Sequence, residues 1–105
     1  MSLSTHVLDT SVGRPAPDVP VRLEARGDDG WEPLARGRTD ADGRLAGWEV
    51  PAAGVYRLVF DVGDHLGAES FYPEVGVVFR VVEPAEHHHV PLLVSPYGYT
   101  TYRGS

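Results

Sequence analysis

The chain has 105 residues, of which 42% are hydrophobic and 23% charged, proportions typical of a globular protein with one modest core. A formal net charge of -6 argues against nucleic acid or an anionic membrane as a main partner. The lack of cysteine excludes disulfides, thiolate catalysis and sulfur-ligated zinc. Neither a secretion signal nor a membrane span is recognisable, so we expect one cytoplasmic domain over residues 1–105.

Short strands separated by turns dominate the predicted structure, because 12 glycines and nine prolines interrupt any long helix. Alternating apolar residues predict a strand over 19–25, and Pro33 predicts an edge strand over 31–38. The remaining predicted elements are strands over 4–9, 44–46, 55–62, 75–82, 88–95 and 99–102, and a helix of about two turns over 63–70. This spacing is typical of an all-β sandwich or barrel.

Two early positions carry possible chemistry. His6 lies between apolar neighbours on the first predicted strand, where an isolated histidine is usually structural and bonded to a carbonyl. Asp40 and Asp42 begin like a calcium loop, but the third aspartate and final glutamate of an EF-hand are missing, so we predict a structural turn. Arg44 follows that turn as either a surface charge or a donor to an anion or oxyanion.

A run of three histidines precedes the apolar segment 90–94. Side chains alternate across a strand, so we predict that His87 and His89 share one face and His88 the other. Such a pair is half of a metal site whose third ligand, for example His6, must come from elsewhere. The alternative is a surface histidine cluster.

The sequence closes on Tyr102-Arg103-Gly104-Ser105, directly after strands expected to be packed. A solvated tail is the ordinary outcome at such a position. However, a phenol, a guanidinium and a hydroxyl held close to packed structure form a dense set of hydrogen-bonding groups. We therefore treat this tetrapeptide as a candidate part of a site.

Several of these features belong to longer recognisable segments. The segments are LSTHVLD at 3–9, GRPA at 13–16, TDADGR at 39–44, HVPLL at 89–93 and SPYGYTTYRGS at 95–105. Together they resemble the 5-hydroxyisourate hydrolases, the transthyretin-related enzymes of urate breakdown, from residue 3 to 105. The Asp-Gly-Arg turn alone is a weak signal, whereas HVPLL joined to YRGS is highly specific. One departure is His88, where the family often has an aromatic residue.

The resemblance implies a transthyretin-type β-sandwich of two four-stranded sheets with one short helix. It also implies a homotetramer, a dimer of dimers with active sites between the dimers. The implied reaction is hydrolysis of 5-hydroxyisourate to 2-oxo-4-hydroxy-4-carboxy-5-ureidoimidazoline, by attack of an activated water on a ring amide carbonyl. No metal or other cofactor is required.

The resemblance places catalytic roles on His6, Arg44 and His89. The two histidines are expected to orient and deprotonate water, and Arg44 and Arg103 to bind substrate carbonyls and stabilise the oxyanion. The implied substrate-binding set is His6, Arg44, Tyr102, Arg103, Gly104 and Ser105. Tyr102 and Ser105 are expected to contact the ring or the water.

Three alternatives remain open at the level of sequence. A transthyretin-like carrier of hydrophobic ligands would not need ionisable groups at positions 6, 44 and 89. A sandwich adhesion or regulatory module would not explain the YRGS segment. A zinc hydrolase using His6, His87 and His89 has no clear fourth ligand or carboxylate partner.

Overall fold

The computed structural model describes residues 3–105, which form nine strands and one short helix. The elements are β1 Leu3–Asp9, β2 Arg14–Pro15, β3 Pro20–Gly27, β4 Gly30–Arg38, β5 Arg44–Trp48, β6 Gly54–Phe60, α1 Gly63–Leu66, β7 Val75–Val81, β8 His88–Ser95 and β9 Gly98–Thr101. Each predicted strand is present, with ends that differ from the prediction by two residues or fewer. The all-β sandwich class is therefore confirmed.

Two sheets pack face to face. One is four-stranded in the order β4-β3-β6-β7, so β4 is an edge strand as Pro33 predicted. The other has five strands, because β2 and β5 both pair with the edge of β1 opposite β8, in the order β2-β1-β8-β9. The prediction of two four-stranded sheets did not include β2, whose two residues pair with Leu8 and Asp9.

Strand β1 is the centre of the five-stranded sheet. It runs parallel to β8 along its whole length and antiparallel to β5. Leu3, Thr5 and Val7 are buried between the sheets, and the intervening Ser4 and His6 face outward. The Thr5 hydroxyl donates to the Val90 carbonyl over 2.6 Å, which satisfies this buried polar group.

The core lies between the inner faces of both sheets. Its largest fully buried side chains include Phe60, Leu3, Leu23, Leu58, Leu92 and Val7. Burying each such side chain contributes about 1.5–3 kcal/mol. The sandwich is therefore held together from inside, which leaves the outward face of β1 and its neighbours available for other chemistry.

The helix is shorter than predicted. It spans Gly63–Leu66, a single turn, because Gly67 leaves the helical conformation with φ 95°. His65 Nε2 lies 2.8 Å from Asp9 Oδ2, which ties the helix to the end of β1. Burial alone would raise the pKa of Asp9, but hydrogen bonds from Ser11 and His65 outweigh it and lower that pKa. No helix within residues 3–105 is long and apolar enough to cross a bilayer.

Candidate active site

A groove of about 380 Å³ lies on the outward face of the five-stranded sheet, where β5, β1 and β8 run side by side. Strand register builds it, because His6 pairs with Arg44 across β1 and β5, and Ser4 pairs with His89 across β1 and β8. The lining residues are Ser4, Thr5, His6, Arg44, Leu45, Ala46, His87, His89 and Ser105. The groove thus brings the three predicted catalytic residues together.

The turn before β5 fixes the position of Arg44. Asp40 Oδ1 accepts hydrogen bonds from the backbone N–H groups of Asp42 and Arg44, at 2.8 and 2.9 Å. The Arg44 bond is the largest cause of the lowered pKa of Asp40. Gly43 has φ 74°, and a Cβ there would overlap the Val7 carbonyl oxygen, so only glycine fits. The Asp-Gly-Arg turn is therefore structural, as predicted, and it delivers Arg44 to the site.

The side chain of Arg44 is exposed beside the two histidines. Its guanidinium makes no hydrogen bond or ion pair with any residue in the range 3–105. A planar group with five N–H donors is well suited to carbonyl oxygens or an oxyanion. Arg44 is thus available to a ligand in the groove.

His6 has a defined tautomer. Its Nε2 lies 2.8 Å from the carbonyl oxygen of Asp42, and a carbonyl oxygen only accepts hydrogen bonds. Nε2 therefore carries the proton, and the neutral ring keeps its lone pair on Nδ1. The bond to the Asp42 carbonyl is compatible with a catalytic role for His6, because it orients a ring that lines the groove.

His89 is held through its other nitrogen. Its Nδ1 lies 2.8 Å from Ser4 Oγ, and its Nε2 makes no hydrogen bond within the described chain. Burial is the main cause that lowers the pKa of His89 below 6.5. The nearby His6, His87 and Arg44 lower this pKa further, and the Ser4 backbone raises it by less. His89 is consequently neutral near pH 7 and able to accept a proton.

The histidine run divides between two faces as predicted. The rings of His87 and His89 stack with centroids 6.5 Å apart. His88 is 5% exposed on the opposite face, and its Nδ1 is buried without a hydrogen-bond partner. Among residues 3–105, no three histidine, cysteine or acidic side chains are arranged to hold a metal ion. The geometry therefore gives the zinc-hydrolase alternative no support.

The segment after β9 returns to the site. The Gly104 N–H donates to the His89 carbonyl over 2.8 Å, forming an antiparallel bridge. A Cβ on Gly104 would lie 2.5 Å from His89 Cδ2, too close for any residue but glycine without a shift of the ring. Ser105 then lines the groove. Gly104 is therefore docked against β8, whereas Ser105 lines the groove and stays exposed to solvent.

Tyr102 and Arg103 lie elsewhere. Both line a second recess of about 300 Å³ on the other side of the bridge, together with residues of β7 such as Phe79. Arg103 Nη2 lies 3.4 Å from Glu86 Oε1, with both side chains more than half exposed. Within one chain, Tyr102 and Arg103 share a recess with His89 but not with His6 or Arg44, and Ser105 is the residue of the tetrapeptide that lines the groove with all three.

Ser4 is the site residue that the sequence did not single out. Its hydroxyl lies within hydrogen-bonding distance of both His87 and His89. The signal was present in the spacing, because residues two apart on a strand share a face and Ser4 is two residues from His6.

Comparison with known proteins finds a family whose model matches nearly the whole chain. Residues 3–104 match the model of the HIUase/Transthyretin family. The 5-hydroxyisourate hydrolase of Salmonella typhimurium is 49% identical over 109 residues, covering 98% of this chain and 80% of that protein.

Two solved structures share the fold. The 5-hydroxyisourate hydrolase of Klebsiella pneumoniae aligns with a TM-score of 0.86 and 40% identity over 100% of both chains. Sea bream transthyretin in complex with thyroxine aligns with a TM-score of 0.89 and 33% identity, over 99% of this chain and 95% of that one. The chain belongs to the HIUase/Transthyretin family.

Proposed function

We propose that this chain is a hydrolase of 5-hydroxyisourate, producing 2-oxo-4-hydroxy-4-carboxy-5-ureidoimidazoline in urate catabolism. The observation that carries the proposal is the groove in which His6 and His89 converge with Arg44, whose guanidinium has no partner among residues 3–105. The relatives from Salmonella and Klebsiella, both named as 5-hydroxyisourate hydrolases, supply the identity of the substrate.

The arrangement supports a hydrolysis without a covalent enzyme intermediate. His6 and His89 hold a water between their free lone pairs, on Nδ1 and Nε2 respectively, and one of them takes its proton as the oxygen attacks the ring carbonyl. Arg44 donates to the oxyanion of the tetrahedral intermediate. The C–N bond then breaks, and the imidazolium returns its proton to the leaving nitrogen, which opens the ring.

The carrier alternative fits this groove less well. A carrier of a hydrophobic ligand depends on an apolar lining with few polar groups. Here the lining includes three histidines and an arginine. Such groups are costly to desolvate unless the ligand pairs with them, so they favour a polar substrate such as 5-hydroxyisourate.

We further propose a homotetramer, a dimer of dimers, in which the groove faces another subunit. The open position of the groove on the sheet surface supports this, because a partner would close it against water. Tyr102 and Arg103 then act on a substrate only through a neighbouring subunit or a rearranged tail. Light scattering tests the assembly, and a fully active monomer would contradict it. The cytoplasmic location stays a prediction.

The experiment that tests the activity uses freshly generated 5-hydroxyisourate and follows its absorbance decay with and without the protein. Acceleration that is lost in a variant with both His6 and His89 replaced by alanine supports the proposal. Decay at the spontaneous rate in the presence of folded wild-type protein would overturn it.

A further inference from the structure

The hydroxyl of Ser4 lies between two imidazole rings. Its Oγ is 2.8 Å from His89 Nδ1 and 2.9 Å from His87 Nε2. Strand register places Ser4 of β1 directly beside His89 of β8, and His87 lies in the residue just before β8, with its ring stacked on that of His89. Both distances are those of ordinary hydrogen bonds.

Proton counting couples these two bonds. A serine hydroxyl has one proton to donate, and a neutral imidazole nitrogen either donates or accepts. The hydroxyl oxygen can accept from both rings but can donate to only one, so at least one neutral ring must donate an N–H to Ser4. The tautomer of His87 and the tautomer of His89 are therefore linked through one oxygen.

The groups around the His89 ring decide in which direction these two hydrogen bonds run. His89 lines the groove together with the cationic Arg44, whose charge favours a lone pair over an N–H bond at the ring nitrogen that Ser4 leaves open. The other groups near the ring are His6 and the Ser4 backbone from β1, the exposed His87, Ser105, and the main chain of Gly104, whose bridge uses the His89 backbone. No acidic side chain lines the groove within the described range.

We propose that Ser4 is a positioning residue that accepts the Nδ1–H of His89 and donates to His87 Nε2. His89 is thereby held in the tautomer whose Nε2 lone pair points into the groove. This inference rests on the proposed function for its catalytic meaning, since a base needs that lone pair. When Nε2 takes a proton, the bond from Nδ1–H to Ser4 becomes charge-assisted and stabilises the imidazolium.

The test begins without substrate, so that it is independent of the proposed reaction. Nitrogen-15 chemical shifts of the histidine rings, recorded above the pKa of His89, report which nitrogen carries the proton. We expect the Nδ1–H form of His89 in the wild-type protein and in Ser4→Thr, which keeps the hydroxyl. In Ser4→Ala we expect a shift toward the Nε2–H form, which is the commoner tautomer of a free ring.

Activity provides the second readout. Ser4→Ala should lower kcat about 10-fold with little change in KM, the effect of losing one hydrogen bond of about 1.4 kcal/mol in the transition state. Ser4→Thr should restore most of it. His87→Gln should keep the His89 tautomer, because its amide oxygen still accepts from Ser4, whereas His87→Ala should behave more like Ser4→Ala.

Unchanged ring shifts in Ser4→Ala would overturn the inference, whether or not the protein hydrolyses 5-hydroxyisourate. An Nε2–H tautomer of His89 in the wild-type protein would overturn it equally. If wild-type protein shows no hydrolysis but the ring shifts change as expected, the proposed substrate is wrong and the tautomer control by Ser4 stands.

Discussion

The outward faces of the two sheets both carry arginines, but in opposite circumstances. On the four-stranded sheet, Arg57 Nη2 lies 2.6 Å from Glu24 Oε1, and Arg22 Nε lies 3.3 Å from Glu24 Oε2. Burial would raise the pKa of Glu24, but these hydrogen bonds and charges lower it. On the five-stranded sheet, Arg44 has no acidic partner among residues 3–105.

This difference separates a structural arginine from a functional one. The Glu24 carboxylate already satisfies its two neighbours, so a ligand would have to displace it. Arg44 lies exposed beside two half-buried histidines in a groove without acidic side chains, so a ligand has to displace only solvent to reach its guanidinium. Pairing within the chain is therefore what distinguishes the two faces.

The largest effect is expected at the histidines. Replacing His6 or His89 by alanine should lower kcat about 100-fold or more, because each removes a group that orients or deprotonates water. The assay is the decay of 5-hydroxyisourate under saturating substrate. His88→Phe is the matched control, since it removes an imidazole from the opposite, buried face while filling its volume. Unchanged kcat in both single variants would refute the assignment.

Alanine variants of Arg44 and Arg57 test the difference between the two arginines directly. Arg44→Ala should lower kcat/KM about 100-fold by removing an oxyanion donor, with little change in Tm. Arg57→Ala should retain activity but lower the free energy of unfolding by about 2 kcal/mol. The reason is that the nearly buried Glu24 loses its closest partner. Paired thermal melts and initial rates check both. Equal effects of the two variants on activity would show that pairing does not distinguish the faces.

A smaller effect is expected from the bridge that docks the tail. Gly104→Ala should lower kcat about 10-fold, because its Cβ would press against His89 Cδ2 and displace the ring from the groove. Gly98→Ala is the matched control, since a Cβ there meets only the Ser95 hydroxyl at 3.9 Å. Steady-state rates of the two variants provide the measurement. If Gly104→Ala is as active as Gly98→Ala, the tail at 102–105 has no role in the site.

The smallest effect concerns pH. Because the pKa of His89 is lowered, the ring is neutral above that pKa and protonated below it. Activity should therefore rise with pH through a midpoint below 6.5 and then level off. Arg44→Ala removes a neighbouring positive charge, so the pKa of His89, followed by NMR, should rise. An acid limb centred above 6.5, or a fall of that pKa in Arg44→Ala, would contradict the electrostatics described here.

Local periodicity explains why much of this site was predictable. Side-chain alternation in an extended segment predicted that His87 and His89 share one face and that His88 lies on the other, and the backbone is extended into β8 from His88 onward. The turn before Arg44 was predictable from its Asp-Gly pair. The strand β2 was not predictable, because two residues are too few to show the side-chain alternation of a strand. The helix was overestimated because Gly67, the residue that ends it, was included within its predicted span.

The docking of the tail depended on contacts that sequence alone does not reveal. Gly104 is required by its distance from the His89 ring, which exists only once β8 and β9 are paired. The separation of Tyr102 and Arg103 from Ser105 follows from the same bridge. The role of Ser4 could not be predicted, because it depends on distances to two rings of a segment more than 80 residues away in sequence.

The most direct test of the central claim is the decay of 5-hydroxyisourate with protein that has been treated with a chelator and dialysed. We expect full acceleration over the spontaneous rate, because His6 and His89 supply the base and Arg44 supplies the oxyanion donor. Zinc added back should have no activating effect, and it should inhibit if it occupies the histidine lone pairs. Activity that is lost on chelation and restored by zinc would contradict the account.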